Sequence, residues 1–122
     1  MIGYMTLGTN DLPRAIQFYD ALLGPMGAKQ VMDLGRGRIW AAGPGQPMLA
    51  VMTPYDKQAA QPGNGTMTAL ACKDSAEVDA CYQRAISLGA TDEGPNGPRG
   101  TGFYAGYFRD LDGNKLCFFC MG

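Results

Sequence analysis

Histidine is missing from the 122-residue chain. That absence removes the commonest transition-metal ligand and the usual acid–base group near neutral pH, so any chemistry must rest on other side chains. Charge is scarce as well. Only 17% of the residues are charged and the formal net charge is −1, which supplies no broad basic field for a phosphate backbone, and nucleic acid is not expected as a partner. No stretch approaches the roughly 20 apolar residues needed to span a bilayer, so no membrane partner is expected. The opening Met1-Ile2-Gly3-Tyr4-Met5-Thr6 lacks the basic region and apolar run of a signal peptide. The expected location is therefore cytoplasmic. There the four cysteines, Cys72, Cys81, Cys117 and Cys120, are expected to be reduced thiols packed as small hydrophobes.

What is present suits one globular domain spanning residues 1–122. The hydrophobic content is 46%, and eighteen glycines and eight prolines predict many turns joining short elements. Ile2 to Gly8 reads as a strand. A helix follows, capped by Asn10 or Asp11, with Pro13 in its first turn and Leu12, Ile16, Tyr19 and Leu23 along one apolar face. Gly24 and Pro25 stop it, and Gly27 finishes the turn. Short strands are expected at Ala28 to Asp33, Arg38 to Ala42 and Pro47 to Met52.

The second half repeats this order. A strand over Thr66 to Cys72 precedes a helix capped by Asp74, with Glu77 three residues on as in a capping box. Val78, Cys81, Tyr82, Ala85 and Ile86 form its apolar face. Strands are then expected at Ala90 to Asp92, Phe103 to Arg109 and Lys115 to Cys120. The Asp-Gly pair within Asp110-Leu111-Asp112-Gly113-Asn114 marks a hairpin between the last two. At one constant offset Leu7 pairs with Leu70, Asp11 with Asp74 and Tyr19 with Tyr82. The repeat predicts a duplicated βαβββ unit, one module about 1–60 and the other about 61–122.

The run from Gly3 to Tyr19 (GYMTLGTNDLPRAIQFY) and the closing Tyr107 to Leu116 (YFRDLDGNKL) resemble the vicinal oxygen chelate superfamily of glyoxalases, bleomycin resistance proteins and extradiol dioxygenases. The resemblance implies an α+β fold in which two βαβββ modules form a half-open, cup-like eight-stranded sheet, and it implies a homodimer. In metal-using relatives, ligands come from the first and last strands of each module. By position, those places here fall on Tyr4, Met67, Cys117 and Leu49, with a one-residue slip to Met48 as the alternative for the last. Leu cannot coordinate and Met is a soft neutral thioether, so a hard or borderline divalent ion is not expected there, nor is any other cofactor.

Two uses of the inward faces stay open, a ligand pocket or a filled cup. As a pocket, the candidates are Tyr4, Arg38, Trp40, Leu49, Met67, Arg99, Tyr104, Tyr107 and Cys117. If Cys117 faces inward, Lys115 and Phe119 share its side while Leu116, Phe118 and Cys120 face the helices. The Cys117-to-Cys120 C-x-x-C is then accidental, because residues three apart on a strand point to opposite faces. The Gly-rich Gly94-to-Gly102 run reads as a flap or connector that could bring Arg99 to an anionic group. The leading functional expectation is a metal-independent small-molecule-binding protein of the glyoxalase/bleomycin-resistance type. The alternatives are a metal-free lyase or isomerase using Tyr4, Cys117 or an arginine, and a structural or interaction module with a filled cup.

Overall fold

A computed structural model describes residues 1–122 and divides them into two compact units, Met1–Gln61 and Pro62–Gly122. The first unit runs β1 (Tyr4–Gly8), α1 (Leu12–Leu23), a 3₁₀ turn (Gly24–Met26), β2 (Lys29–Asp33), β3 (Gly37–Ala41) and β4 (Met48–Met52). Its four-stranded sheet has the order β1-β4-β3-β2, with β1 parallel to β4 and the other neighbours antiparallel. The second unit runs β5 (Thr68–Ala71), α2 (Ser75–Ser87), β6 (Thr91–Pro98), β7 (Phe103–Arg109) and β8 (Lys115–Met121). Its sheet has the matching order β5-β8-β7-β6, again with one parallel pair. The duplicated βαβββ order is thus present, and the eight strands are shared between two sheets of four. Neither helix is long and apolar enough to cross a membrane.

Both helices begin where the polar caps predict. The Asp11 carboxylate accepts from the Arg14 N–H at 3.1 Å, and a proline occupies the first turn. Asn10, the other capping candidate, instead exchanges two hydrogen bonds with the backbone of Ala60, at 3.1 and 2.7 Å. At α2 the Asp74 carboxylate accepts from the Glu77 N–H at 2.8 Å while Glu77 accepts from the N–H of Lys73, one residue before the cap, at 3.0 Å, a shifted form of the capping box. The turn after α1 closes at Gly27, whose φ of +86° costs nothing without a Cβ.

Each helix covers one face of its own sheet. The buried residues of α1 are Ala15, Phe18, Tyr19, Leu22 and Leu23, so the apolar stripe is rotated from the expected one. Leu12 and Ile16 sit at its half-buried margin. In α2, Val78, Cys81, Tyr82 and Ala85 are buried. Strand β6 departs most from expectation, continuing to Pro98 where a connector was predicted from Gly94 onward. Its register against β7 slips between Asp92 and Gly94 and again between Gly94 and Gly97. These bulges, with Gly94 at φ +155°, accommodate two prolines on a strand with only one neighbour, where a missing N–H leaves no ladder bond unmade.

Candidate ligand-binding site

Strand alternation and the observed registers assign every strand side chain to one of two faces. In the first unit, Tyr4 lies opposite Met48, Thr6 opposite Ala50, and Gly8 opposite Met52; Ile39 also pairs with Ala50. These residues form the face turned away from α1. Ile39, Ala50 and Met52 are buried there as a small cluster, with Met48 packed against them, while Tyr4 is 60% exposed. The segment after β4 folds back toward this face. Thr6, Gly8 and Met52 line a cleft of about 450 Å³ with Arg36, Tyr55 and Ala60, and the Arg36 guanidinium sits 5.4 Å from the centre of the Tyr55 ring.

Three expected pocket residues of this unit lie on the other face. Trp40 is 1% exposed, its ring centre is 5.9 Å from that of Tyr19 in α1, and its indole N–H donates to Asp20 at 2.9 Å. An acceptor on the helix decides the direction of the indole. Leu49 pairs with Trp40 across the ladder and is buried beside it. Arg38 shares that face and is held by Asp33 at 2.9 Å and by the carbonyl of Gly37 at 3.1 Å, which ties it to its own hairpin. Trp40, Leu49 and Arg38 therefore do not line the open face.

The internal repeat also relocates the fourth expected ligand place. Leu7 faces Val51 across β1 and β4, just as Leu70 faces Phe118 across β5 and β8. In that correspondence Tyr4 matches Met67, and Ala50, opposite Thr6, matches Cys117, opposite Ala69. The place assigned to Leu49 or Met48 belongs to Ala50, whose methyl group carries no donor atom.

In the second unit the face turned away from α2 carries Ala69, Ala71, Phe103, Ala105, Tyr107, Lys115, Cys117, Phe119 and Met121. Tyr107 and Cys117 are direct cross-strand partners. The Tyr107 ring has two cations on it, the Arg99 guanidinium at 5.4 Å and the Lys115 ammonium at 5.6 Å from its centre. Farther along the strands Phe103 and Phe119 stack with ring centres 5.6 Å apart. Cys117 is buried, and burial pushes its thiol up from the ordinary range while the charge of Lys115 opposes that shift. Met67, just before β5, is 40% exposed.

The opposite face packs on α2. Phe108 and Phe118 stack at 5.3 Å, and Gly106 lies under Tyr82, whose hydroxyl donates to Asp92 at 2.6 Å. Tyr104 belongs here too. Its hydroxyl donates to Asp79 of α2 at 2.6 Å, a bond that raises the phenol's pKa. It is thus a helix contact and not a residue of the open face, since Asp79 gives the phenol a partner on α2. Cys120 follows the same alternation, so the two cysteines of the C-x-x-C point to opposite sides. Of the nine expected pocket residues, the structure brings Arg99, Tyr107 and Cys117 together. Lys115 completes that group, and its signal was its strand spacing from Cys117.

The residues at the ligand places do not fit a divalent ion. Tyr4 and Ala50 in one unit, with Met67 and Cys117 in the other, offer a phenol, a methyl, a thioether and a thiol, where such an ion needs several anionic or imidazole donors. Nowhere do three or more His, Cys, Asp or Glu side chains gather in a way that could hold a metal.

The description of the glyoxalase/bleomycin resistance protein/dioxygenase superfamily matches residues 1–118. The chain belongs to that superfamily. Among solved structures, a glyoxalase/bleomycin resistance protein from Albidiferax ferrireducens T118 is 33% identical, with a TM-score of 0.91 over 100% of this chain and 99% of that one. The lactoylglutathione lyase from Agrobacterium tumefaciens is 25% identical, with a TM-score of 0.74 over 98% and 92%. The fosfomycin resistance protein FosX from Mesorhizobium loti, at 21% identity, shares the fold with a TM-score of 0.73 over 100% and 92%. No functionally curated protein matches the sequence.

Proposed function

We propose that this superfamily member binds a small organic molecule on the open face of its second unit, without a metal ion. The observation that carries this reading is the grouping of Tyr107, Arg99 and Lys115 beside Cys117, on a surface that α2 does not use. Apolar contact area with a few convergent polar groups is the usual make-up of a small-molecule site. On the corresponding face of the first unit, Ile39, Ala50 and Met52 pack as an apolar cluster beside the cleft lined by Arg36 and Tyr55. Catalysis through Cys117 is disfavoured, since a buried thiol with a raised pKa is mostly protonated near neutral pH.

The same reading has the protein act as a homodimer. Edge strand β2 is exposed along its whole length, and Tyr4, Val31, Met32 and Met121 expose large apolar side chains, surface that a second copy would cover. Light scattering after size exclusion tests this, and a monomer at all concentrations refutes it.

The binding reading is tested with a thermal-shift screen of small aromatic and apolar compounds, followed by NMR mapping of any hit, together with elemental analysis of the purified protein. Hits that perturb Tyr107 and Cys117 and survive chelator treatment are expected, with metal well below one ion per chain. Stoichiometric metal, or binding abolished by the chelator, overturns metal independence. A screen without any stabilising compound overturns the binding reading.

A further inference from the structure

The cations on Tyr107 point to the ligand's chemistry, an inference that rests on the binding reading above. Carboxylates near this ring are already engaged. Glu93 holds Arg109 at 2.7 Å, and Asp92 accepts from the Tyr82 hydroxyl at 2.6 Å and the Gly94 N–H at 2.9 Å, with the more distant charge of Arg99 also helping to hold its pKa down. Neither Arg99 nor Lys115 forms an ion pair. Arg99 donates instead to the carbonyls of Pro95 and Pro98, the second at 3.2 Å. Those two bonds fix the plane of the guanidinium and leave other N–H groups of its fork unused. Lys115 lies over the ring and beside the Cys117 thiol, with no carboxylate paired to it.

Two like charges on one ring repel each other, and an aromatic face returns only part of what a counter-charge would supply. Beside them the surface changes character. Ala69 and Ala71 are exposed on β5, with Met67 on one side and the Phe103–Phe119 stack on the other. Their small side chains leave room above the strand that bulkier residues would fill. A cationic end thus adjoins a shallow apolar strip on the same sheet face.

We infer that the ligand carries a carboxylate or phosphate group, drawn to the Arg99 and Lys115 charges that flank Tyr107, with an apolar or aromatic body lying across Ala69 and Ala71 toward Phe119. The full-length protein is titrated calorimetrically with benzoate, phenyl phosphate and the neutral benzyl alcohol, and each titration is mapped by NMR. Both anions are expected to bind at least about tenfold more tightly than the alcohol at low salt, the scale of one charge-assisted hydrogen bond. Lys115→Met and Arg99→Gln are each expected to cost about tenfold for the anions and to leave the alcohol unchanged. Lys29→Met, in the other unit, should alter neither. Raising the salt should weaken the anions selectively, a check that needs no variant.

A preference between the two anions identifies the head group. Equal affinity for alcohol and anions, insensitive to salt and to Lys115→Met, overturns the anionic ligand while leaving the binding reading standing. If none of the three probes perturbs Tyr107, Cys117 or Phe119, the site itself is refuted and this inference falls with it.

Discussion

Replacing Trp40 by Phe separates a structural tryptophan from a ligand-contacting one. The indole is almost fully buried and donates at 2.9 Å to a carboxylate that Gln30 also uses, at 2.9 and 3.0 Å. Phe keeps the ring contact with Tyr19 but loses the N–H and the outer part of the bicyclic ring. A hydrogen bond to a charged acceptor contributes about 1.5–3 kcal/mol, and here the lower end applies because Asp20 is exposed and retains Gln30. Losing part of a buried ring costs about 1 kcal/mol more in transfer and cavity terms. The sum is about 2–3 kcal/mol, and at roughly 4 °C per kcal/mol for a chain of this size Tm should fall by about 10 °C. Urea denaturation followed by far-UV circular dichroism measures it. Affinity for any compound bound at Tyr107 should not change. A variant as stable as the parent but altered in binding would refute the assignment of Trp40 to the helix face.

Other perturbations test other parts of the fold. Gly106→Ala would place a Cβ 2.8 Å from a ring carbon of Tyr82, so α2 must shift, and a loss of about 1–3 kcal/mol is expected in the same denaturation assay. Asp110→Ala removes the carboxylate that accepts from the backbone N–H groups of Asp112 and Asn114 and from the Asn114 amide. It should cost about 2–3 kcal/mol and broaden the NMR signals of Tyr107 and Lys115. Cys81 is held near a pKa of about 7, chiefly by the hydrogen bond from Cys72 and further by Arg84, whose guanidinium is 3.8 Å from the sulfur; Cys72 is pushed up. The fold releases the Cys81 proton before the unfolded chain does, so stability should rise from about pH 7 to 9. Above that it should fall as the unfolded chain loses the Cys72 proton that the fold retains. Arg84→Gln should reduce the rise, and a Tm that falls or stays flat from pH 7 to 9 in the parent protein refutes the pairing.

Much of the architecture was legible because several local signals agreed. Asp11, Asp74, Gly27 and the Asp110-to-Asn114 turn each demanded the conformation they adopt, and the repeat fixed the strand order. The faces were harder to read where a residue suits either side. Tryptophan and tyrosine combine apolar area with a polar edge, so Trp40 and Tyr104 could be placed only by finding Asp20 and Asp79 on the helices. The Leu49 assignment failed because the connections within the two modules differ in length, and spacing alone could not show that Ala50 mirrors Cys117. Arg38 looked available until the hairpin brought Asp33 beside it. Strand β6 was hidden by its glycines and prolines, which argue against pairing unless bulges absorb the irregularity. In β8 alternation was enough, and Lys115, Cys117 and Phe119 share the side predicted for them.

The β7–β8 ribbon divides its labour by parity. Phe108, Leu116 and Phe118 anchor it to the helix, whereas Tyr107, Lys115 and Cys117 face outward from the same backbone. Mutation can therefore revise the chemical identity of one surface while the other conserves folding. A lineage built on such a ribbon is free to change what it recognises by point substitution alone, whereas inserting a single residue would exchange anchors and recognition groups together.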